Sequence, residues 1–483
     1  MSSEKELNQA LENKICDLLD KLQAEQEKKP LRIAMQLGYL TYVRLFIESQ
    51  RRESLRSYFP YAGFPMEWTR GDEHMEIQQR IWQLQYQVQY CSSIVEEGHF
   101  MESAELVENG AWLEHLCQFI DWICDSCDWK MGMPQIFGKA LDKMVRQIYL
   151  MGTNGMFLLP DVLAEMMIQL AERKETCEIW NPSCRTGAFL AAVHRNSPEW
   201  SLEGSEEDKE QCLLAQMLRF FHGEQKGRVV RENSLEKDSK YQYDLIVSNP
   251  PVGELRIEEQ DRFSVSTRKI QLQYLQMVMQ HLKKQGQAIV VVNEGTLFKF
   301  DAEMKVRKEL LENFELQGVI SLPAGAFLPY TSGKASILIF ANTLDFMNTR
   351  SAVWFYELEQ LGYSLDRRQE ATGVTQIPAL LEAWNKRKEK ENEWRNQLAK
   401  GERRNQWNNP VPEKWSDNSY WFAEWETICR NDYNITAGRY KPWKSVQEEE
   451  IESPLKLLEQ LIQMEQKTME QMKELIEMTK HYE

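Results

Sequence analysis

The stretch Tyr243-Asp244-Leu245-Ile246-Val247-Ser248-Asn249-Pro250-Pro251-Val252 runs through three apolar residues and then halts on Ser-Asn-Pro-Pro. A short apolar run closed by a breaker has the pattern of a buried strand. Two consecutive prolines have no amide hydrogen to give a ladder, so the strand ends there. The Asn249 carboxamide and the carbonyl before Pro250 are left at its carboxyl edge, where open α/β sheets bind ligands. Two neighbouring acceptors suit one –NH₂ group, and an exocyclic base amine such as adenine N6 is such a group. That amine is conjugated with its ring and is a poor nucleophile. Acceptors gripping its hydrogens push lone-pair density back to nitrogen, which can then attack a methyl sulfonium. The plainer reading is a loop that uses Pro-Pro to stop a strand, and the motif needs its context to separate the two.

Upstream, Glu178-Ile179-Trp180 leads into Asn181-Pro182-Ser183-Cys184-Arg185-Thr186-Gly187-Ala188-Phe189-Leu190. The pattern is a strand, a tight turn of small and polar residues, then a helix; such a turn aims helix amides at a ligand. Leu202 to Glu206 reads as a second strand ending in an acid, about 20 residues past the first turn, where a ribose hydroxyl pair is bound in dinucleotide folds. A helix through Leu214 and Met217 closes near His222-Gly223. A third short strand, from Arg228 to Leu235, carries Asn233 at its tip. Strands separated by helical patterns imply βαβ units, hence an α/β fold with a mostly parallel, Rossmann-like sheet.

Together these residues carry a resemblance. Gly155-Met156-Phe157-Leu158-Leu159-Pro160, the Asn181 turn, Gly204-Ser205-Glu206 and Ser248-Asn249-Pro250-Pro251 are similar, in order, to the motifs of the modification subunits of type I restriction systems. The likeness continues through 286–298, 319–327, 331–340, 354–358, 362–365 and Asn431-Asp432-Tyr433-Asn434-Ile435 with Arg439-Tyr440, and covers about residues 135 to 445. It implies an S-adenosylmethionine-dependent DNA adenine-N6 methyltransferase. It further implies catalytic roles for Asn249, Pro250, Pro251 and Val252, and cofactor contacts from Phe157, Pro160, Asn181, Ser183, Arg185, Thr186, Gly187, Glu206 and Asn233. Without the resemblance, Phe157 and Pro160 read equally well as core packing.

Six ligand-facing positions depart from the family pattern. Where the family has Asp-Pro-Ala-Cys-Gly-Thr-Gly-Gly, this chain has Asn181 for the Asp, Arg185 for the first Gly of Gly-Thr-Gly and Ala188 for the last. Glycine there permits close approach and unusual backbone angles, whereas a guanidinium brings bulk and fixed charge beside a sulfonium that is itself positive. Asn233 stands for the Asp that holds the cofactor's adenine amine, and Leu159 for a Thr. Val252 replaces the aromatic that stacks on the extruded base, a contact worth ~1–3 kcal/mol. The fold is expected to survive these changes, while the catalytic activity is the property they put at issue.

The chain has 483 residues, enough for two to three domains. Its 58 Lys and Arg against 74 Asp and Glu leave a formal charge of −16. That is the wrong sign for gripping DNA unaided, since phosphate neutralisation supplies most nonspecific affinity. Basic residues must be focused on one face, or a partner must supply the contacts; in the family a separate specificity subunit reads the sequence. Nine scattered cysteines, the lack of a leader-like start and the lack of a long apolar run suggest a soluble protein of a reducing cytoplasm. Cys124-Asp125-Ser126-Cys127, with His115 and Cys117 upstream, has no second CxxC or histidine pair at finger spacing. Trp122, Ile123 and Trp129 point instead to a packed aromatic helix, and no metal is expected.

Three parts are expected. Residues 1–148 are helical in pattern, with apolar stripes at Leu18, Leu19 and Leu22, at Tyr42, Val43, Leu45 and Phe46, and at Ile81, Leu84, Tyr86 and Val88. In the family such a domain packs beside the methylase core and helps clasp DNA. Residues 149–445 form that core, with a charged insert at about 386–404 that reads as a solvated helix or loop, its basic face for DNA being the minority alternative. Residues 446–483 begin a helix at Ser453, an N-cap, with Pro454 at the first helical position and Leu and Met at helical spacing. A helix so rich in Leu and Met needs a partner, either its own core or another helix. The resemblance offers the specificity subunit's coiled coil, with a restriction subunit or a second copy of the chain as further partners. Two functions from different classes follow: an active adenine-N6 DNA methyltransferase subunit, or a methyltransferase-like scaffold or DNA-binding subunit. A methyltransferase for protein or small amines shares the Asn-Pro-Pro logic, but the motifs beyond the sheet argue against it.

Overall fold

The computed structural model describes residues 2–24, 30–49, 110–126, 133–150, 158–223, 226–254, 262–343, 352–399 and 420–441, with single positions elsewhere. Phe157 and nearly all of 446–483 lie outside the described residues. So do Ile81, Leu84 and Val88; Tyr86 is described, and is helical and exposed.

The core of the chain is a nine-stranded sheet. Its strands are β1 (Glu178–Asn181), β2 (Ser201–Glu206), β3 (Gly227–Arg231), β4 (Tyr243–Ser248), β5 (Leu282–Asn293), β6 (Glu315–Ser321), β7 (Ala335–Ala341), β8 (Val353–Glu357) and, from Tyr420–Ala423, a further edge strand. In the plane of the sheet β3-β2-β1-β4-β5 are parallel neighbours. β7 is inserted antiparallel between β5 and β6, followed by β8 and the Tyr420–Ala423 strand. A hairpin of Leu361–Tyr363 and Ala371–Thr375 stands apart from it. The chain leaves β1 toward β2 and β3, then returns to lay β4 on the other side of β1. The switch point of the parallel half therefore falls between β1 and β4.

The central strands are buried because both faces of the sheet are covered, as parallel sheets require. Side chains alternate along each strand. Ile179, Leu245, Val247 and Ile289 enter one core, with helices Asp161–Gln169 and Ala188–Asn196. Trp180, Ile246, Ala288 and Val290 enter the opposite one, with helix Ile270–Gln280. The sequence reading of β1, β2 and the helix closing at His222-Gly223 matches these elements. Helix Lys209–His222 starts where the Asp208 carboxylate accepts the Gln211 amide at 2.9 Å and stops at Gly223, whose φ of 74° is the left-handed C-cap glycine allows.

Helices Ser2–Ala24, Pro30–Ser49, Gly110–Ser126 and Met133–Leu150 share a third core. Helix Pro30–Ser49 is buried on nearly every side, which is why its apolar residues show so little helical periodicity. Leu213, Leu214, Met217, Leu218 and Phe221 of helix Lys209–His222 belong to this same core, and Tyr42 packs on Phe220 with ring centroids 5.0 Å apart. Cys117 and Cys124 are buried in it. The charged stretch from residue 387 is a helix, Arg387–Ala399. Lys390 and Arg395 pair with Glu393 and Glu391 of the same helix, Arg387 pairs with Glu172, and Trp394 is buried against Phe422. Among the described residues, no helix is long and apolar enough to cross a membrane, and no group of three or more His, Cys, Asp or Glu is placed to hold a metal ion.

Candidate functional site

Because β1, β2, β3 and β4 are parallel, their carboxyl ends share one edge, and the segment 181–187 is knitted to all of the others there. The Ser183 hydroxyl donates to the Asn249 carbonyl at 3.1 Å, which joins the turn after β1 to the Asn-Pro-Pro after β4. The Cys184 amide donates to the Ser205 carbonyl at 3.0 Å and the Arg185 amide to Glu206 Oε2 at 2.9 Å. The Ser234 hydroxyl, just past β3, donates to the Pro182 carbonyl at 2.6 Å. Ser234 and the buried Tyr149 and Tyr274 are neighbours of this edge that the sequence did not single out. Each sits where long-range pairing brings it, and no local periodicity marks it.

Asn181, Ser183, Thr186 and Glu206 are buried, and Arg185 is half-buried. Arg185 has φ 52° and Gly187 φ 97°, so both of these turn residues are left-handed. Glycine adopts that conformation freely; for Arg185 it is strained. A glycine would hold this turn without strain, and the chain places an arginine there instead. The Asn181 oxygen accepts the Ser183 amide at 3.3 Å, and its Nδ2 is buried with no protein partner. Arg185 Nε is likewise buried and unpartnered. Burial pushes the Tyr149 hydroxyl's pKa up, and Arg185 pulls it part of the way back against Glu206. Burial also raises Tyr274, with Glu206 adding and Arg185 offsetting. One guanidinium and one carboxylate therefore act on both buried hydroxyls, which reach the site from helices Met133–Leu150 and Ile270–Gln280.

Glu206 Oε1 accepts the Asp208 amide at 3.0 Å, so each oxygen has one partner and keeps acceptor capacity. Asn233 lies beyond the end of β3. Its oxygen accepts the Leu235 amide at 3.1 Å and its nitrogen donates to Glu236 at 2.9 Å, which makes it the cap of a short 3₁₀ turn. Pro160 is buried and opens helix Asp161–Gln169; it shares a cleft with Leu150, Thr186, Ala188, Tyr330 and Gln369. Pro250 is buried, Asn249 and Pro251 half-buried, and Val252 is 51% exposed. β5 runs parallel to β4, so the exposed Phe298 and Phe300 just beyond it lie on the same edge.

Beneath the edge lies a network of charges. Glu203 accepts from Lys237 at 2.8 Å, from the Tyr243 hydroxyl at 2.8 Å and from Arg228. Lys237 also pairs with Glu232 at 2.7 Å, and Glu232 in turn accepts from the Ser205 hydroxyl. The Trp180 indole donates to Ser205 at 2.9 Å and stacks on Tyr243. Every polar group of this cluster that leaves water has a charged or hydrogen-bonding partner, which is what keeps it affordable to bury.

Residues 133–449 match the N-6 DNA methylase family. This chain belongs to that family. The methylase subunit of the type I restriction enzyme EcoEI from Escherichia coli is 28% identical over 279 residues, 53% of this chain and 55% of that one. The EcoKI methylase subunit from Escherichia coli K12 is 24% identical over 289 residues, 51% and 54% of the two. The chain thus spans about half the length of the curated relatives it matches. Among solved structures, the type I restriction-modification methyltransferase subunit from Streptococcus thermophilus superimposes with a TM-score of 0.66 at 19% identity, covering 90% of this chain and 99% of that one. At that identity the likeness is one of fold. It is the Rossmann-like fold expected from the motifs.

S-adenosylmethionine would present a ribose diol and a carboxylate to the residues of this edge. Glu206 retains acceptors for ribose hydroxyls, and the two unpartnered donors, Asn181 Nδ2 and Arg185 Nε, fit a carboxylate. They fit the cofactor at both of those ends.

Proposed function

We propose that this chain is the methyl-transferring subunit of a type I-like restriction-modification system, acting on N6 of adenine in DNA with S-adenosylmethionine as donor. The observation that carries the reading is the bond from the Ser183 hydroxyl to the Asn249 carbonyl, because it puts the cofactor turn and the amine-gripping motif within one hydrogen bond of each other. The cofactor, when bound, supplies an electrophilic methyl group. Glu206 would hold its ribose, and Asn181, Ser183, Arg185, Thr186 and Gly187 its methionine part, with Phe157 and Pro160 walling the pocket.

The target adenine has to leave the stack, since N6 is inaccessible within a duplex. Asn249 then offers two acceptors: its side-chain oxygen, and the lone pair of its carbonyl that Ser183 does not use. Holding both amine hydrogens restores nucleophilic character to nitrogen. Most of the acceleration comes from alignment rather than from a general base. Pro250 and Pro251 rigidify the grip, and Val252 covers the base by contact without a π-face. Asn233 contributes only what its capping bonds leave free.

The proposed organisation is a helical domain at 1–148, a catalytic domain at 149–445 and a partner-pairing helix at 446–483. Ile462, Met469 and Met472 are helical and exposed, which supports a role for that helix in meeting a specificity subunit. The acidic balance supports the same division of labour, with DNA gripped chiefly through partners that include a restriction subunit or a second copy. A cytoplasmic site of action goes with that reading.

The test is long-read sequencing of genomic DNA from the source strain, from a deletion strain, and from strains restored with wild type or Asn249→Ala. N6-methyladenine at a recurring motif should vanish on deletion and return only with wild type. If the methylation pattern is the same in all four, the enzyme reading is wrong and the scaffold reading replaces it.

A further inference from the structure

A base drawn out of a duplex loses its stacking on both faces, and the protein that holds it has to replace that contact with aromatic or apolar side chains. At the carboxyl edge of the sheet, Val252 is half exposed and offers apolar contact alone. Among the described residues, the exposed aromatic rings are Tyr86, Tyr241, Phe298 and Phe300. Tyr86 belongs to the amino-terminal region. Tyr241 precedes β4 and so lies at the opposite edge, where the ammonium groups of Lys237 and Lys240 sit over its ring. Phe298 and Phe300 remain, and both follow β5.

Register makes these rings a wall beside Asn249. Ser248, the last residue of β4, pairs with Val290, whereas β5 continues to Asn293. Val291, Val292 and Asn293, at ~3.3 Å each, carry β5 about 10 Å beyond the end of its neighbour. Helix Glu294–Phe298 and then Phe300 top that extension. A short chain of contacts ties the top of the wall to the loop that carries Val252. The Gly253 carbonyl accepts the Ile270 amide at 3.1 Å, Glu254 forms an antiparallel bridge with Lys269, and Lys269 Nζ pairs with Glu303 Oε1 at 2.6 Å. Phe300 is 64% exposed, and Asp301 beside it has φ 63°, which a non-glycine residue adopts at a cost. Two rings and Val252 exposed on one edge make a patch rather than a scatter of apolar residues, and strained backbone held beside it points to function. Lys299 stands exposed between the rings, an alternation that suits a base together with its phosphate.

We infer that Phe300 supplies the π-face on which the extruded adenine stacks, with Val252 adding apolar contact and Asn249 holding the amine. The inference rests on the methyltransferase reading above and deepens it by naming a substrate-binding residue outside the Asn-Pro-Pro segment. A chain with valine after Pro251 thereby takes its aromatic from the neighbouring strand end.

The test uses the complex purified from the source strain through a tag on this chain. Initial rates of tritiated methyl transfer from S-adenosylmethionine are measured on genomic DNA of the deletion strain. Phe300→Leu should lower kcat/KM for DNA at least about tenfold while leaving KM for S-adenosylmethionine unchanged. Phe300→Tyr, which keeps the ring, should stay within about threefold of wild type, and adding Val252→Phe to Phe300→Leu should restore the rate to a similar level. A Phe300→Leu rate within about threefold of wild type, or a loss that Val252→Phe does not relieve, overturns the inference and leaves the methyltransferase reading standing. So does a loss that accompanies departure of partner chains from the purified complex, which would make the patch a protein interface. If wild type itself transfers no methyl group, the methyltransferase reading falls and the inference with it.

Discussion

Arg307 offers the sharpest stability prediction. It is 0% exposed, yet it carries a guanidinium. Its Nε donates to the Tyr433 carbonyl at 2.8 Å, Nη1 to those of Thr296 at 2.9 Å and Lys299 at 2.8 Å, and Nη2 to that of Asp432 at 3.3 Å. Asp432 and Tyr433 both have φ 55°, a left-handed pair of non-glycine residues that would not hold this shape unaided. The planar fork thus clamps the 431–435 segment to the short helix Glu294–Phe298 and its C-cap Lys299 beyond β5, at the sheet edge that carries the candidate site. Four hydrogen bonds from a charged group contribute about 1.5–3 kcal/mol each, so roughly 6–12 in gross terms. Removing the cation returns several kcal/mol of desolvation, which leaves a net loss of about 4 kcal/mol for Arg307→Leu. Arg307→Lys, a single ammonium without the fork, should lose about half of that. Urea unfolding read by linear extrapolation gives the loss, and hydrogen exchange at 296–299 and 431–435 locates it. A loss below about 1 kcal/mol for Arg307→Leu, or unchanged exchange at 431–435, would refute the clamp.

The remaining expectations are briefer. Arg185→Gly should raise stability by about 1 kcal/mol in thermal unfolding, because relief of a left-handed arginine outweighs the entropy glycine adds to the unfolded chain; a lowered midpoint contradicts this. Gly227→Ala should cost roughly 3 kcal/mol or more, since φ is 99° and a new Cβ would stand 2.2 Å from the Leu202 carbonyl oxygen in the paired strand; a protein with unchanged urea midpoint and protected β3 amides would show that the strand yields. Burial alone would raise the pKa of Glu203, but the hydrogen bonds from Lys237, Tyr243 and Arg228 prevail and hold it below its ordinary value of 4.5. A carboxylate lowered in the folded state stabilises fully above that value, and the contribution fades as pH drops through it toward the lowered one. Glu203→Gln should therefore flatten the acid limb of the stability profile below pH 4.5, and an unaltered acid limb counts against the network.

Much of the parallel sheet was legible because its signals are local. Leu245-Ile246-Val247 before Asn-Pro-Pro, the small polar turn after Trp180 and the acid ending β2 each place a strand end by backbone chemistry within a few residues. The helix that closes at His222-Gly223 is readable for the same reason. Asn233 was less legible: its type marks a strand tip, but the capping bonds to Leu235 and Glu236 that occupy it depend on a 3₁₀ turn that no periodicity announces. Helix Pro30–Ser49 was visible as helical but not as the centre of a bundle, because a helix apolar on all sides carries no directional stripe.

The sequence by itself determined which residues end strands, where the chain turns tightly and that the parallel half belongs to a nucleotide-type fold, since each of these follows from steric and hydrogen-bonding limits of adjacent residues. Only the tertiary structure decided that β7 lies between β5 and β6, that the helix after β2 anchors the amino-terminal helices, and that Ser183 meets the Asn249 carbonyl across 66 positions of sequence. The left-handed backbone at Arg185 belongs to the same group. Those features arise from pairing and packing between distant segments, whose free energy exists only once the chain has closed on itself.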